Sequence, residues 1–411
     1  MSAADDSDGR VQAQYESYPY PARDPADERK RLVTGSPSHF DELDHYCFAG
    51  RWDFRQRFRA LIAGGGTGDA TIMLAQQLKD RGIPAELSYL GLSGASRGIA
   101  EARARVRGLD NIRFLTGSLL EVGTLAPGPY DYIDCCGVLH HLAEPLEGLQ
   151  ALAGQLDPRG AMGLMLYGTL GRTGVYPVQA ALRALAANED GGQRVSLARR
   201  LLADLPEDHW LKRNPYLGDH KRGDDAGLYD LLLHSRDRAY LVPEIEALAA
   251  AAGLRLTAFV EPVRYDPATW LKDPELIARA QRLPWLQQCA LAENLAGSMK
   301  SHAFYVVSAG NTGDTVAKPG GPDTIPVLRD GNPQALAAAV ARGNSLTLNL
   351  DGQQRRLSLP DGAAAMLALV DGRRRLDDIQ RMLNLDWFAC KARFDRIYGL
   401  LNPLNLLLLR F

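Results

Sequence analysis

The sequence predicts an α/β protein built on a doubly wound, mostly parallel seven-stranded sheet, and three observations support this. Apolar, strand-length segments alternate with helical segments between residues 58 and 166, which is typical of a parallel sheet with crossover helices. A glycine-rich run at residues 63–68 closes the first strand and opens a helix. Two more strand-like segments, residues 254–261 and 301–308, complete the predicted sheet.

Strand and helix bounds follow from segment length and apolar spacing. Five strands are predicted in the alternating region, at residues 58–63, 86–92, 112–116, 130–136 and 161–167. Helical spacing predicts helices at residues 69–81, 95–107, 145–156 and 243–252.

Regions outside this core are predicted from composition. Residues 1–39 are expected to form an N-terminal arm, and the prolines of its aromatic run, residues 15–21, favour an extended segment. Within a main domain at 40–309, the charged stretch 175–240 is predicted as a helical lid. The Gly-, Pro-, Asp- and Thr-rich stretch 310–326 is predicted as a linker.

The remaining residues, 327–411, are predicted to form a small helical accessory domain. Helical segments at 361–370, 376–383 and 387–401 precede an apolar strand at 404–411. Three helices and a strand resemble a winged-helix unit, and a protein partner could bind there.

Composition limits the classes of function. The 411-residue chain has 47 Lys and Arg against 49 Asp and Glu, a net charge of −2, so no long-range basic field attracts nucleic acid or an anionic membrane. The first ten residues do not resemble a secretory leader, and no segment is apolar enough to span a bilayer. The five cysteines lack C-x-x-C spacing. We therefore expect a cytoplasmic protein with no metal site and neither membrane nor nucleic acid as a partner.

The glycine-rich run carries the first functional signal. Glycines let the backbone turn sharply and approach a ligand closely, and the following helix offers free N–H groups. The dinucleotide fingerprint G-x-G-x-x-G is not satisfied, because Gly68 comes one residue early, and no Walker lysine follows. Alone, the run indicates either a nucleotide-like cofactor or a tight turn.

Three motifs in order resolve this choice. The segment 61–71, LIAGGGTGDAT, resembles the first motif of class I S-adenosylmethionine-dependent methyltransferases. The segment 130–142, YDYIDCCGVLHHL, is similar to the fourth strand of that family and the loop after it, and 156–164, LDPRGAMGL, to its turn into the fifth strand. The resemblance covers residues 58–167 and implies the methyltransferase fold and S-adenosyl-L-methionine as cofactor.

The resemblance also implies which residues hold the cofactor. Strand ends and the loops after them would supply the contacts, from Gly64, Gly65, Gly66, Gly68, Asp69, Gly91, Leu92, Ser93, Gly117, Ser118, Leu119, Cys136 and Gly137. The family usually places acidic residues where this chain has Ile62, Gly91 and Ser118. The cofactor is therefore expected to be held mainly by backbone and shape.

For catalysis, methyl transfer is an in-line displacement that depends mainly on alignment, and a base is needed only when the acceptor is a hydroxyl or an ammonium group. His140 and His141 lie at the predicted mouth of the site, and either one is a candidate base. Candidate acceptor-pocket residues are Tyr18 and Tyr20 of the arm, and Tyr167, Arg238 and Tyr240.

The most direct interpretation is methyl transfer to a small molecule, and two alternatives stay open. The chain could be a non-catalytic regulator that keeps the fold and binds a partner through residues 327–411. It could also methylate protein or RNA, recruited by basic residues of the insertion, namely Arg194, Arg199, Arg200, Lys212, Arg213, Lys221 and Arg222.

Overall fold

The fold is that of a mostly parallel sheet with helices on both faces. A computed structural model describes residues 3–186, 189–221, 223 and 225–411. Eight strands form the sheet: β1 (Phe58–Ala63), β2 (Ala85–Gly91), β3 (Ile112–Thr116), β4 (Tyr130–Cys136), β5 (Leu156–Gly168), β6 (Ala239–Tyr240), β7 (Leu254–Phe259) and β8 (Ser301–Ser308).

The strand order is β3-β2-β1-β4-β5-β8-β7, and the two-residue β6 pairs with β5 beside this path. The pairs from β3 to β5 are parallel, whereas β8 runs antiparallel to both β5 and β7. The predicted seven-stranded, mostly parallel sheet is therefore confirmed, and β6 is an addition to it.

The helices divide into those that flank the sheet and those outside it. In chain order they are α1 (Ala3–Ser17), α2 (Phe40–Cys47), α3 (Asp69–Asp80), α4 (Gly94–Arg107), α5 (Val122–Leu125), α6 (Pro145–Ala153), α7 (Val175–Leu185), α8 (Gly191–Asp204), α9 (Trp210–Arg213), α10 (Asp225–Leu228), α11 (Val242–Ala251), α12 (Pro274–Ala280), α13 (Trp285–Ala296), α14 (Pro333–Ala341), α15 (Ala363–Leu367), α16 (Leu376–Met382) and α17 (Trp387–Leu401). A single π-helical turn, Tyr229–Leu233, continues α10.

Alternating burial along the strands creates two cores. On β1, the side chains of Leu61 and Ala63 enter a core shared with α6 and α11, whereas Phe58, Ala60 and Ile62 enter a core shared with α2 and α3. This is the period-two pattern of a sheet covered on both faces. The carboxyl ends of β1, β2, β3 and β4 are thereby brought to one edge.

The N-terminal arm differs from the extended segment that was predicted. Residues Ala3–Ser17 form α1, and the chain leaves helical geometry only before residues 18–21. Glu16, near the end of α1, accepts hydrogen bonds from the backbone N–H groups of Gly94 and Ala95 at the start of α4. The helix ends just before the prolines, and the contacts of Glu16 with α4 stabilise its last turn.

The predicted linker and accessory domain contain more structure than their composition indicated. Strand β9 (Ile325–Leu328) starts inside the predicted linker and pairs antiparallel with β12 (Leu407–Arg410). A hairpin of β10 (Ser345–Leu350) and β11 (Gln353–Ser358) lies between α14 and α15. The linker itself packs on the main domain, since the Ala49 N–H donates to the Thr315 carbonyl oxygen and the Ala317 N–H donates to the His45 carbonyl oxygen.

Acidic side chains of α2 join the C-terminal part to the sheet. Glu42 is fully buried and accepts hydrogen bonds from Tyr305 on β8, from Asn405 and from Arg329. Arg410 on β12 pairs with Asp41 and Asp44. In the part of the chain that the structure describes, no helix has the length and apolarity needed to cross a bilayer.

Candidate active site

A cavity of about 590 Å³ opens at the carboxyl edge of the sheet, between the ends of β1 and β4. The strand order reverses there, and α/β sheets bind their ligands at such switch points. The predicted cofactor residues that line the cavity are Gly64, Gly65, Gly66, Asp69, Gly91, Leu92, Ser93, Gly117, Ser118, Leu119, Cys136 and Gly137. Gly68 does not line it. Cofactor contact by the lining residues stays a prediction.

The glycine run forms a cradle that a side chain would fill. Gly64 and Gly66 have φ values of 78° and 49°, in the left-handed region that favours glycine. A Cβ on Gly64 would lie 2.2 Å from Val138, across the cavity floor. Gly68, at φ 100°, instead ends the turn and precedes α3. The backbone can therefore approach a nucleoside cofactor closely, and the residues present fit one.

Tyr89 is a site residue that the sequence motifs did not reveal. Its hydroxyl donates a hydrogen bond to the Gly66 carbonyl oxygen at 2.7 Å. A Cβ on Gly65 would lie 2.3 Å from the Tyr89 ring. The ring thus supports the turn where the family usually has an acidic residue at the end of the second strand.

Asp69 lies at the cavity wall but is engaged by two arginines. It pairs with Arg23 of the arm and with Arg103 of α4, each at 2.6 Å. Burial alone would raise the pKa of Asp69, but the two guanidinium groups hold it below its usual value. Asp69 therefore holds the arm against the glycine turn through Arg23. The sequence predicted only a cofactor contact for Asp69.

The other end of the cavity holds a polar cluster beneath the arm and the insertion. Asp230, 5% exposed, accepts hydrogen bonds from the hydroxyls of Tyr15 and Tyr167 at 3.3 and 3.0 Å. His141 lies beside them and also lines the cavity. The Arg172 guanidinium stacks on the Tyr167 ring at 3.7 Å. These side chains form what we call the acceptor cluster: Tyr15, His141, Tyr167, Arg172, Asp230 and His234.

The tautomer of His141 follows from its partner. Its Nδ1 lies 2.8 Å from the Arg236 carbonyl oxygen, so Nδ1 carries the proton and Nε2 keeps a lone pair. Desolvation lowers the pKa of His141, although Asp230 opposes this. His141 is therefore a neutral imidazole with one free acceptor nitrogen at neutral pH.

His140, the other candidate base, does not lie at the cavity. Its ring is fully buried, does not line the cavity and stacks on Tyr167 with ring centroids 3.9 Å apart. Within the described residues, neither ring nitrogen has a hydrogen-bond partner. Burial lowers its pKa well below the usual histidine value. Of the two adjacent histidines, only His141 faces the cavity.

Three of the predicted acceptor-pocket residues do not line the cavity either, namely Tyr18, Arg238 and Tyr240. Tyr18 stacks on Tyr229 with ring centroids 4.9 Å apart and joins the arm to the insertion. Tyr240 is buried in the core of the sheet, and Arg238 lies over its ring and pairs with Glu244. Tyr20 and Tyr167 do line the cavity.

His141, Asp230 and His234 offer ligand atoms within 4.8 Å of one another, which raises the question of a metal site. The two imidazole rings are stacked, 3.7 Å between centroids and 18° apart, so lone pairs in the ring planes do not converge on one ion. His234 Nδ1 also accepts the Arg236 N–H, which leaves the proton on Nε2. The geometry suits a hydrogen-bond relay better than a metal centre.

The fold and this cavity together define the class I methyltransferase type. A model of the methyltransferase domain family matches residues 61–162. An uncharacterized Synechococcus protein, syc1184_c, is 29% identical over 308 residues, covering 72% of this chain and 70% of that protein. The tRNA 5-carboxymethoxyuridine methyltransferase of Escherichia coli K12 is 33% identical over 117 residues, or 28% of this chain and 42% of that enzyme.

A solved structure extends the likeness beyond the matched domain. PKMT2 from Rickettsia typhi, in complex with AdoHcy, superposes with a TM-score of 0.64 and covers 91% of this chain and 75% of that one, at 13% sequence identity. At this identity the likeness is one of fold. Residues 61–162 therefore form a methyltransferase domain, and the fold is that of the class I S-adenosylmethionine-dependent methyltransferases.

Proposed function

We propose that this protein transfers the methyl group of S-adenosylmethionine to a small acceptor bound at the acceptor cluster. The observation that carries the proposal is the continuity of the cavity. It runs from Gly64 and Gly66, at the glycine turn, to His141, Tyr167 and Asp230. Nucleophile and methyl group can therefore meet inside one continuous cavity, where alignment supplies much of the acceleration.

His141 is the proposed general base for a hydroxyl or ammonium acceptor. Its free Nε2 and lowered pKa leave it able to accept a proton at neutral pH. Asp230 lies near enough to stabilise the imidazolium that forms. Tyr15 and Tyr167 hold that carboxylate in place and border the space that the acceptor would occupy.

The size of the cavity favours a small acceptor. About 590 Å³ must hold the cofactor and the acceptor together, and cavities that hold one drug-sized ligand measure about 300 to 1,000 Å³. The arm contributes Tyr15, Tyr20 and Pro21 to the lining, and the insertion contributes Leu217 and Leu231. A macromolecular acceptor would have to displace both the arm and the insertion from the cavity.

The basic residues of the insertion give little support to an RNA acceptor. Arg194 bonds to Tyr229, Arg199 pairs with Asp225, and Lys212 pairs with Glu207. These cations are engaged within the insertion, although Arg199 stays 40% exposed. Arg222, which was counted in the same cluster, lies outside the described residues.

The test combines binding with transfer. Calorimetry with S-adenosylhomocysteine should give micromolar binding, and absence of heat and of thermal stabilisation would refute the cofactor assignment. The full chain is then incubated with methyl-tritiated S-adenosylmethionine and, separately, with a panel of small phenols and amines, total tRNA, and cell protein.

Label in a small molecule, lost in His141→Gln, supports the proposal. Label only in tRNA or only in protein would refute the small acceptor and select the corresponding macromolecular alternative. Binding without transfer to any of them would favour the regulator.

A further inference from the structure

Asp134 is a buried carboxylate that the acceptor cluster does not use. It lies on β4 as the direct Cα partner of Ile62 on β1, and it lines the cavity together with Ile62, Gly64 and Met73. The family usually carries an acidic residue at the Ile62 position. In this chain a carboxylate is present at the same level of the sheet, one strand over.

The environment of Asp134 lacks a cation. The carboxylate accepts hydrogen bonds from the Ser38 hydroxyl at 2.6 Å and from the Cys136 N–H at 3.3 Å. Within the described ranges, no arginine, lysine or histidine influences it, and the residue is 3% exposed. Burial raises its pKa to about 6, against the two hydrogen bonds, which lower it.

A buried carboxylate without a counter-charge is unfavourable unless a ligand supplies the charge. Ser38 and Cys136 occupy two of the four or so acceptor positions of the carboxylate. The ligand of this cavity carries a cation, because S-adenosylmethionine has an α-ammonium group on its methionine part.

The order of the strands indicates which end of the cofactor lies near Asp134. Gly91 on β2 and Ser118 after β3 line the side of the cavity where the family resemblance places ribose and adenine. Strands β1 and β4 lie on the opposite side of β2. An extended cofactor with its adenine beside Ser118 therefore directs its methionine part toward Asp134.

We propose that Asp134 binds the α-ammonium group of the cofactor, with Ser38 holding the carboxylate in position, and so replaces the acidic residue absent at Ile62. Ser38 lies at the end of the arm, just before α2, so the contact also links cofactor binding to this end of the arm. Tyr132 contacts the Ser38 hydroxyl at 3.0 Å and completes this support.

The experiment uses calorimetry on the full chain with two probes. One is S-adenosylhomocysteine, and the other is its deamino analogue, which has the same nucleoside, thioether and carboxylate but no α-amino group. Wild-type protein should bind the deamino analogue about 10- to 100-fold more weakly, which corresponds to the loss of one hydrogen bond between charged groups. Equal affinities would overturn the proposal without any variant.

Asp134→Asn should weaken S-adenosylhomocysteine binding by a similar factor and leave affinity for the deamino analogue within about twofold. Asp131→Asn is the matched control, since Asp131 is on the same strand but bonds to the Arg59 N–H and does not line the cavity. If Asp134→Asn weakened the binding of both probes equally, or the binding of neither, the proposal would be overturned.

A purely structural role predicts a different result. If Asp134 only supported Ser38, Asp134→Asn would lower the melting temperature of the ligand-free protein and leave the ratio of the two affinities unchanged. If Asp134 binds the ammonium group, removing its uncompensated charge should keep or raise that melting temperature. Failure of the wild type to bind S-adenosylhomocysteine would instead refute the cofactor assignment itself.

Discussion

Tyr89 and Gly91 stand two residues apart on β2, and the tyrosine fills the space that a side chain at position 91 would take. A Cβ on Gly91 would lie 2.4 Å from the Tyr89 hydroxyl. The same hydroxyl donates its hydrogen bond to Gly66 in the cofactor turn. The absence of the usual acid at position 91 and the presence of Tyr89 are therefore one structural feature.

Gly91→Asp should weaken cofactor binding, although it restores the acid typical of the family. The new side chain displaces the Tyr89 ring and breaks its hydrogen bond to Gly66, a loss of about 0.5 to 1.5 kcal/mol. S-adenosylhomocysteine affinity measured by calorimetry should fall about two- to tenfold. Gly98→Ala on α4, where a Cβ meets no atom within 4 Å, should leave it unchanged. Tighter binding by Gly91→Asp would show that Tyr89 does not support the turn.

Substitutions of the two adjacent histidines should have different effects on kcat. His141→Gln should lower kcat by about 10²- to 10⁴-fold, as expected for loss of a general base, with S-adenosylhomocysteine affinity kept. His140→Phe retains the stack on Tyr167 and removes no hydrogen bond within the described structure, so kcat should change little. The measurement is tritium transfer to the acceptor found in the panel. Equal losses in both variants would contradict the assignment of His141.

The pH profile of kcat should reflect the lowered pKa of His141. Since desolvation lowers this pKa, the basic form predominates at neutral pH and is lost as the pH falls through the lowered value. The acid limb should therefore lie below the usual histidine value of about 6.5. Saturating cofactor keeps the titration of Asp134 out of kcat. A limb above 6.5, or one that persists in His141→Gln, would argue against this base.

A buried ion pair that joins the arm to α4 should contribute to the stability of the protein. Glu28 and Arg103 have side chains 3% and 0% exposed, and Glu28 also bonds to Arg107. Glu28→Gln removes the carboxylate partner of Arg107 and leaves Arg103 with Asp69 alone, which Arg23 shares, and should lower the free energy of unfolding by about 3 kcal/mol. Asp27→Asn, next to it on the surface, is the control, because the pair of Asp27 with Lys30 is exposed. Urea unfolding measures both, and similar values for the two variants would contradict the prediction.

Arg410 should be needed for the stability of the main domain. Its pairs with Asp41 and Asp44, at 2.9 and 3.2 Å, lie between side chains no more than 17% exposed. Arg410→Met should lower the free energy of unfolding by about 3 kcal/mol, measured by urea denaturation. Arg396→Met, at an exposed position on α17, is the control. An unchanged midpoint for Arg410→Met would mean that the C-terminal part is a separable module.

The sheet could be predicted because its signals are local. Alternation of strands and helices, and the glycine run, lie within residues 58–167, where each element is specified by its own short segment. The two-residue β6 and the pairing of β9 with β12 gave no such signal. That pair joins segments about 80 residues apart, so its register depends on the whole C-terminal part.

Of the candidate site, the sequence predicted only the part that is formed by backbone at the strand ends. Glycines at strand ends mark close approach to a ligand, and twelve of the thirteen predicted cofactor residues line the cavity. The acceptor cluster depends on which distant side chains meet, as Tyr15 meets Asp230 across 215 positions. The available signal was a lone acid in an apolar segment, seen both in Asp230 among leucines and in Asp134 within β4.

The order in which the chain is synthesised gives the acids of α2 a further significance. Asp41, Glu42 and Asp44 leave the ribosome long before Arg329, Asn405 and Arg410, which later neutralise or hydrogen-bond them. A nascent chain that has completed β8 contains Arg81 and Tyr305, which contact Asp41 and Glu42, but still lacks Arg329, Asn405 and Arg410. Translation that stops before residue 329 therefore yields a product that has every strand of the main sheet but lacks the two arginines that pair with the acids of α2 from the C-terminal part.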